Sequence, residues 1–140
     1  MEAAPLILIV DDDAASRRLL ARMLTKAGYA CREMDNAIEA LKFVHEQQPA
    51  VLLLDFKMPG MDGAEALRQL RADQNPAIAQ IPVIMLTGYG ESEVTCLSAG
   101  ADDFVIKPIK AEVLRARIET QLRLHSLRVQ LQHQNQELEA

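Results

Sequence analysis

Apolar runs and helix-period segments alternate five times along this chain. PLILIV (5–10) is short and apolar and stops on three aspartates, which reads as a buried strand. Asp13 then stands where a helix N-cap is needed. Leu19, Leu20, Met23 and Leu24 fall on one face of that helix, and Gly28 is placed to end it. YACREM (29–34) alternates like a more exposed strand. Asp35 or Asn36 caps the next helix, which carries Ile38, Leu41, Phe43 and Val44 and ends near Pro49. Three further units follow. VLLLD (51–55) leads through a Pro/Gly loop to a helix over 63–73, PVIMLT (82–87) to a helix over 91–99 closed by Gly100, and DDFVIK (102–107) through Pro108 to a last helix.

Repeated strand–helix units of this size predict an α/β fold with a doubly wound parallel sheet. Right-handed crossovers put helices on both faces, as the continuously apolar first, third and fourth strands require. Ligands of such sheets gather at the carboxyl ends of the strands. The first strand ends on Asp11, Asp12 and Asp13, the third on Asp55, the fourth on Thr87 and the fifth on Lys107 and Pro108. If the central strands are neighbours, carboxylates, a hydroxyl and an ammonium meet on one rim. Clustered carboxylates repel and need a divalent cation, and hard oxygen ligands suit Mg2+. That cation would screen an incoming phosphoryl group, with a lysine balancing charge and a threonine donating a hydrogen bond. An aspartate, ionised at neutral pH, is a competent nucleophile and forms an acyl phosphate.

Composition narrows the class. The 140 residues suit one domain with a sizeable core. A net charge of -5 argues against nonspecific binding of nucleic acid or anionic lipid by this segment. No apolar run approaches the roughly 20 residues of a membrane span. Cys31 and Cys96 lack metal-like spacing and read as reduced thiols of a cytoplasmic protein.

ILIVDDD (7–13), VLLLDFKMPGMDG (51–63), PVIMLTG (82–88) and AGADDFVIKPI (99–109) together resemble the receiver domain of two-component response regulators. The likeness covers residues 5–120. It implies a flavodoxin-like (βα)5 sheet of order 2-1-3-4-5. It further implies Asp55 as phosphoacceptor, Asp11 and Asp12 as the acidic pair for Mg2+ or Mn2+, and the Lys57 carbonyl as a further ligand. Thr87 corresponds to the switch hydroxyl, Lys107 to the phosphoryl-contacting lysine and Phe104 to the aromatic switch, with a cis peptide at Pro108. The implied partner is a sensor histidine kinase or phosphotransfer protein. The implied role is regulatory, with self-catalysed phosphotransfer and dephosphorylation rather than metabolic catalysis. Phosphorylation is expected to repack the surface around the fourth helix, fifth strand and last helix. Gly88 replaces the usual alanine, which implies a more mobile loop. Lys57 and Tyr89 flank the path of an attacking water; because Tyr89 is bulky and Lys57 cannot act as an acceptor for water, a comparatively long-lived phosphoryl group is expected.

Single residues allow plainer readings: Asp13 as a helix cap, Thr87 as a helix start, Phe104 as core, Lys107 as a solvated charge. Their joint placement at strand ends is what those readings leave unexplained. His45 and His133 read as surface residues, and His125 lacks the acidic residue and proline of a kinase phosphoacceptor box. A phosphatase using Asp11 and Asp13 would leave MPGMDG without a role, and a phosphorylation-independent scaffold would leave the intact site without one. The final helix continues to Ala140, although a receiver needs it only to 122. Leu124, Leu131 and Leu138 recur every seven residues with Leu127 between, a short coiled-coil pattern. Residues 1–122 are thus expected to form the receiver, and 123–140 a helical extension toward a dimer partner or an output domain.

Overall fold

The computed structural model describes residues 4–88 and 93–139, the side chains of Glu93 and of residues 136–139 excepted. In chain order its elements are β1 (Leu6–Val10), α1 (Ala14–Lys26), β2 (Ala30–Met34), α2 (Ala37–Glu46), β3 (Val51–Asp55) and α3 (Gly63–Arg71). They continue with α4 (Pro76–Ala79), β4 (Val83–Thr87), α5 (Glu93–Ser98), β5 (Asp103–Ile106) and α6 (Ala111–Glu139). All strand pairs are parallel, in the order β2-β1-β3-β4-β5. This is the flavodoxin-like arrangement expected from the alternating pattern.

Side chains alternate across the sheet with period two, so each strand feeds two cores. Leu8, Val10, Leu52, Leu54, Val83 and Met85 pack with α2 and α3 residues such as Phe43, Leu67 and Leu70. Ile7, Ile9, Val51, Leu53, Ile84 and Leu86 pack with Leu20 and Leu24 of α1 and Leu114 and Ile118 of α6. β1, β3 and β4 are buried almost throughout, whereas the edge strand β2 has no fully buried residue.

Helix caps follow the sequence. Asp13 accepts from the Ala15 amide and Asn36 from the Glu39 amide. The inward faces differ in detail from the periodic reading. Leu19 and Ile38 are exposed, and Ala37 and Ala40 carry the inner line of α2 with Phe43 and Val44. Small residues let α2 approach the sheet closely, and a hydrophobicity count undervalues them. The one-turn α4 was not anticipated, because four residues cannot show a helical period; Asn75 caps it through the Ala77 amide.

Away from the strand carboxyl ends, Arg71 closes the fold. Its guanidinium donates to the carbonyls of Gly100, Ala79 and Ile81 and to Asp102 Oδ2, which also accepts from the Val83 amide. One side chain from the last turn of α3 thereby satisfies the end of α4 and the entries to β4 and β5. α6 runs unbroken past residue 122. Leu114, Ile118 and Gln121 are buried, Leu122, His125 and Arg128 are half-buried, and Gln132 hydrogen-bonds Gln80 at 3.3 Å. Leu124, Leu127 and Leu131 point to solvent instead.

Candidate functional site

Period two also decides which strand-end residues meet. Asp11 continues the row Ile7–Ile9, Asp55 the row Val51–Leu53, and Lys107 follows Val105, so all three side chains share the parity of the α1/α6 face. Lys107 Nζ lies 3.2 Å from Asp55 Oδ1 and 3.4 Å from Asp11 Oδ2. Asp11, Asp12 and Asp55 offer carboxylate oxygens within 4.8 Å of one another. Asp11 and Asp55 are buried, while Asp12 is exposed.

Two buried carboxylates this close cannot both ionise freely. Burial first, and then the charge of Asp11, push the Asp55 carboxyl up to about 7, against the pull of Lys107. Burial also raises Asp11, but hydrogen bonds from the Asp13 amide (2.9 Å) and the Ser16 hydroxyl, with help from Asp55 and Lys107, hold it below the usual range. Burial opposes the Lys107 charge, yet Asp55 and Asp11 outweigh it and keep the ammonium above its ordinary value. The site thus has more carboxylate than cation. Three hard oxygen donors from two adjacent strands, one open to solvent, fit a divalent ion that keeps part of its water shell. An open cleft beside Asp12 is lined by Phe56, Lys57, Met58 and Asp62.

Thr87 continues the opposite row, Val83–Met85. Its hydroxyl is buried and has no hydrogen-bond partner among the described residues. A buried unpaired hydroxyl is costly unless something arrives to accept or donate. Phe104 pairs in register with Met85 and packs half-buried against the same core, on the Thr87 side of the sheet. The Lys107 amide donates to the Thr87 carbonyl at 2.7 Å, and the Lys107–Pro108 peptide is cis. Tyr89 lies outside the described residues.

Several residues that shape the site escaped the sequence reading. Gly63 opens α3 directly against β3, and a Cβ there would collide with the Asp55 carbonyl oxygen and crowd Phe56 Cα at 3.0 Å. Its amide donates to the Phe56 carbonyl at 2.9 Å. The second glycine of MPGMDG is therefore needed for close approach, which turn chemistry alone does not reveal. Ser16 reaches Asp11, and Arg17 reaches the Asp11 carbonyl at 2.7 Å. Both contacts depend on how α1 leaves the loop.

A family model described as the response regulator receiver domain matches residues 7–119. The phosphate regulon transcriptional regulatory protein PhoB of Pseudomonas aeruginosa is 40% identical over 119 residues, 84% of this chain and 51% of that protein. The regulatory protein AtoC of Escherichia coli is 36% identical over 140 residues, 99% of this chain and 30% of its own length. The chain thus spans about half the length of one curated relative and under a third of the other. The signal receiver domain of a signal transduction histidine kinase from Syntrophus aciditrophicus has a similar structure. It has a TM-score of 0.78 and 35% identity, covering 86% of this chain and 91% of that one. Sequence and fold agree over a whole domain, and the chain belongs to the response-regulator receiver family.

Proposed function

We propose that the chain is a phosphorylation-dependent switch. Asp55 accepts a phosphoryl group from a sensor histidine kinase or phosphotransfer protein, with Asp11, Asp12, Asp55 and the Lys57 carbonyl holding Mg2+ or Mn2+. The observation that carries this reading is the meeting of three carboxylates and Lys107 at one rim, beside a buried Thr87 hydroxyl with no hydrogen-bond partner among the described residues. A bound divalent cation would neutralise the phosphoryl oxygens and favour in-line transfer. An Asp55 oxygen forms the new bond to phosphorus as the donor's P–N bond breaks. Lys107 balances the added charge, and the Thr87 hydroxyl gains a phosphoryl oxygen as acceptor. The same residues support hydrolysis back to the carboxylate, so the cycle is regulatory.

Phosphorylation adds about -1.5 to -2 charges at the end of β3. Movement of Thr87 toward them frees space on the face it shares with Phe104, and rotation of Phe104 repacks α5, β5 and the start of α6. A difference of a few kcal/mol between two states is enough for this output. Val94, Leu97, Ile106 and Val113 already leave an apolar patch exposed there. By helical period Val113 lies on the same side of α6 as Leu124, Leu127 and Leu131. A homodimer through this surface and the 123–140 extension follows on that reading, with 1–122 as the receiver body. The side chain of Leu138, the last of the heptad leucines, lies outside the described residues. Cys31 and Cys96 are not joined in a disulfide, which suits the cytoplasm. No helix among the described residues is long and apolar enough to cross a membrane.

Acetyl phosphate with Mg2+ tests the chemistry. Label is expected on Asp55 and lost in Asp55→Asn; label surviving in that variant would refute the assignment.

A further inference from the structure

Arg17 reaches the acidic loop through the main chain. Its Nη1 donates to the Asp11 carbonyl at 2.7 Å, and its Nε lies 3.4 Å from Glu33 Oε1 on β2. The side chain is 16% exposed, so the contact is made within the fold and not by a free surface arm. The Asp11 amide in turn donates to the Met34 carbonyl at 3.1 Å. The Asp11 main chain is therefore tied to β2 at both ends, once directly and once through Arg17 braced by Glu33.

The carbonyl that Arg17 holds belongs to the peptide joining Asp11 to Asp12. Fixing that peptide plane fixes where the Asp12 nitrogen and Cα sit, and so narrows the directions in which the Asp12 side chain can leave the loop. Asp12 is exposed, so packing does little to steer it. Coulomb's law alone would make a nearby guanidinium weaken cation binding, but Glu33 offsets its charge. Holding a ligand's orientation in advance works in the opposite sense, because the cost of ordering it is met before the ion binds.

We infer that Arg17 is a positioning residue for divalent-cation binding, presetting the Asp12 carboxylate against Asp11 and Asp55 through the Asp11 carbonyl. The inference rests on reading that carboxylate cluster as a cation site. Removal of Arg17 should then weaken cation affinity although it removes a positive charge.

Mn2+ titration of the full chain, with free Mn2+ read by electron paramagnetic resonance, tests this in the parent, Arg17→Ala and Arg17→Lys. Arg17→Ala is expected to raise the Mn2+ dissociation constant roughly tenfold or more, the usual scale for lost outer-shell partners. Arg17→Lys keeps the charge but cannot span both Glu33 and the carbonyl, and is expected to fall between. Melting curves of the cation-free proteins are recorded alongside. A lowered melting temperature with unchanged Mn2+ affinity would make Arg17 purely structural and overturn the inference. Tighter binding in Arg17→Ala would overturn it as well, since charge would then outweigh position. If Arg17→Ala does not fold, unchanged affinity in Arg17→Lys is decisive against it. A parent that binds no Mn2+ at millimolar concentration removes the cation-site reading itself, a failure distinct from parent-like binding by the variants.

Discussion

Lys107 Nζ stands 3.2 Å from Asp55 Oδ1, joining an ammonium from the end of β5 to a carboxylate from the end of β3 across the intervening β4. One ammonium faces two buried carboxylates here, because Asp11 lies 3.4 Å from the same nitrogen. The excess negative charge can be relieved by a proton on the pair or by a bound cation, and the two would compete.

That competition makes cation binding depend on pH. The folded chain keeps a proton on Asp55 up to about 7, whereas the unfolded chain releases it near 3.8. The folded state binds more protons between these values, so cation-free stability falls as pH rises through that window. Asp11, held low, acts oppositely only below 3.8. Mg2+ should therefore raise the melting temperature more at pH 8 than at pH 6. Tenfold excess over its dissociation constant stabilises by about 1.4 kcal/mol. Asp55→Asn should flatten the decline. Melting curves across pH, with and without Mg2+, check both; a Mg2+ effect independent of pH would contradict the shared proton.

Gly63→Ala forces a Cβ into the Asp55 carbonyl oxygen. Backbone cannot yield as a flexible side chain does, so a loss of roughly 1–3 kcal/mol is expected. The strain falls on the main chain of Asp55, so acceptance of phosphoryl from acetyl phosphate should fall with it. Denaturant titration and labelling of the variant give the two numbers.

Arg71→Ala strips donors from three carbonyls and leaves Asp102 without its cation. Both ionic side chains are about a fifth exposed. The cost is therefore placed at about 2–4 kcal/mol, toward the lower part of the range for broken buried pairs. Urea unfolding should show it as a lower midpoint with an unchanged slope. The carboxylate cluster around Asp55 should keep its Mn2+ affinity.

Lys57 borders the cleft that opens beside Asp12, and its exposed side chain cannot accept a proton from an attacking water while charged. The phosphoryl group is expected to persist for minutes or longer. Lys57→Glu should shorten its lifetime about tenfold, well under the 10²–10⁴ of a positioned general base. Decay of label in purified protein measures this, and loss within seconds from the parent would contradict it.

Leu127 and Leu131 are 49% and 60% exposed on α6, on one side of the helix with Leu124. Beryllofluoride should shift the chain toward a dimer in sedimentation, and Leu127→Glu should reverse the shift without lowering the melting temperature of the monomer. A monomer in both states would remove the extension from the interface.

The order of strands and helices was legible in the sequence because it rests on local periodicity: period two with β-branched residues, period 3.6 with caps, and Gly or Pro between. The candidate chemistry was legible for a related reason. A parallel sheet buried on both faces exposes new chemistry only at its strand ends, so Asp11, Asp55, Thr87 and Lys107 were singled out by position. What each of them touches is another matter. The contacts of Lys107 with Asp11 and of Arg71 with Asp102 span 96 and 31 residues of chain. Local pattern carries no information about such pairs.

By itself the sequence determined the layers, the sheet's continuous core and the rim on which polar groups end, since burial and backbone geometry act on neighbours in the chain. Only the tertiary structure decided that Gly63 must lack a side chain, that Arg17 grips the Asp11 carbonyl, and that the Thr87 hydroxyl finds no hydrogen-bond partner among the described residues. Those outcomes depend on how closely α3 backs onto β3 and how α1 leaves β1, distances set by packing across the whole domain.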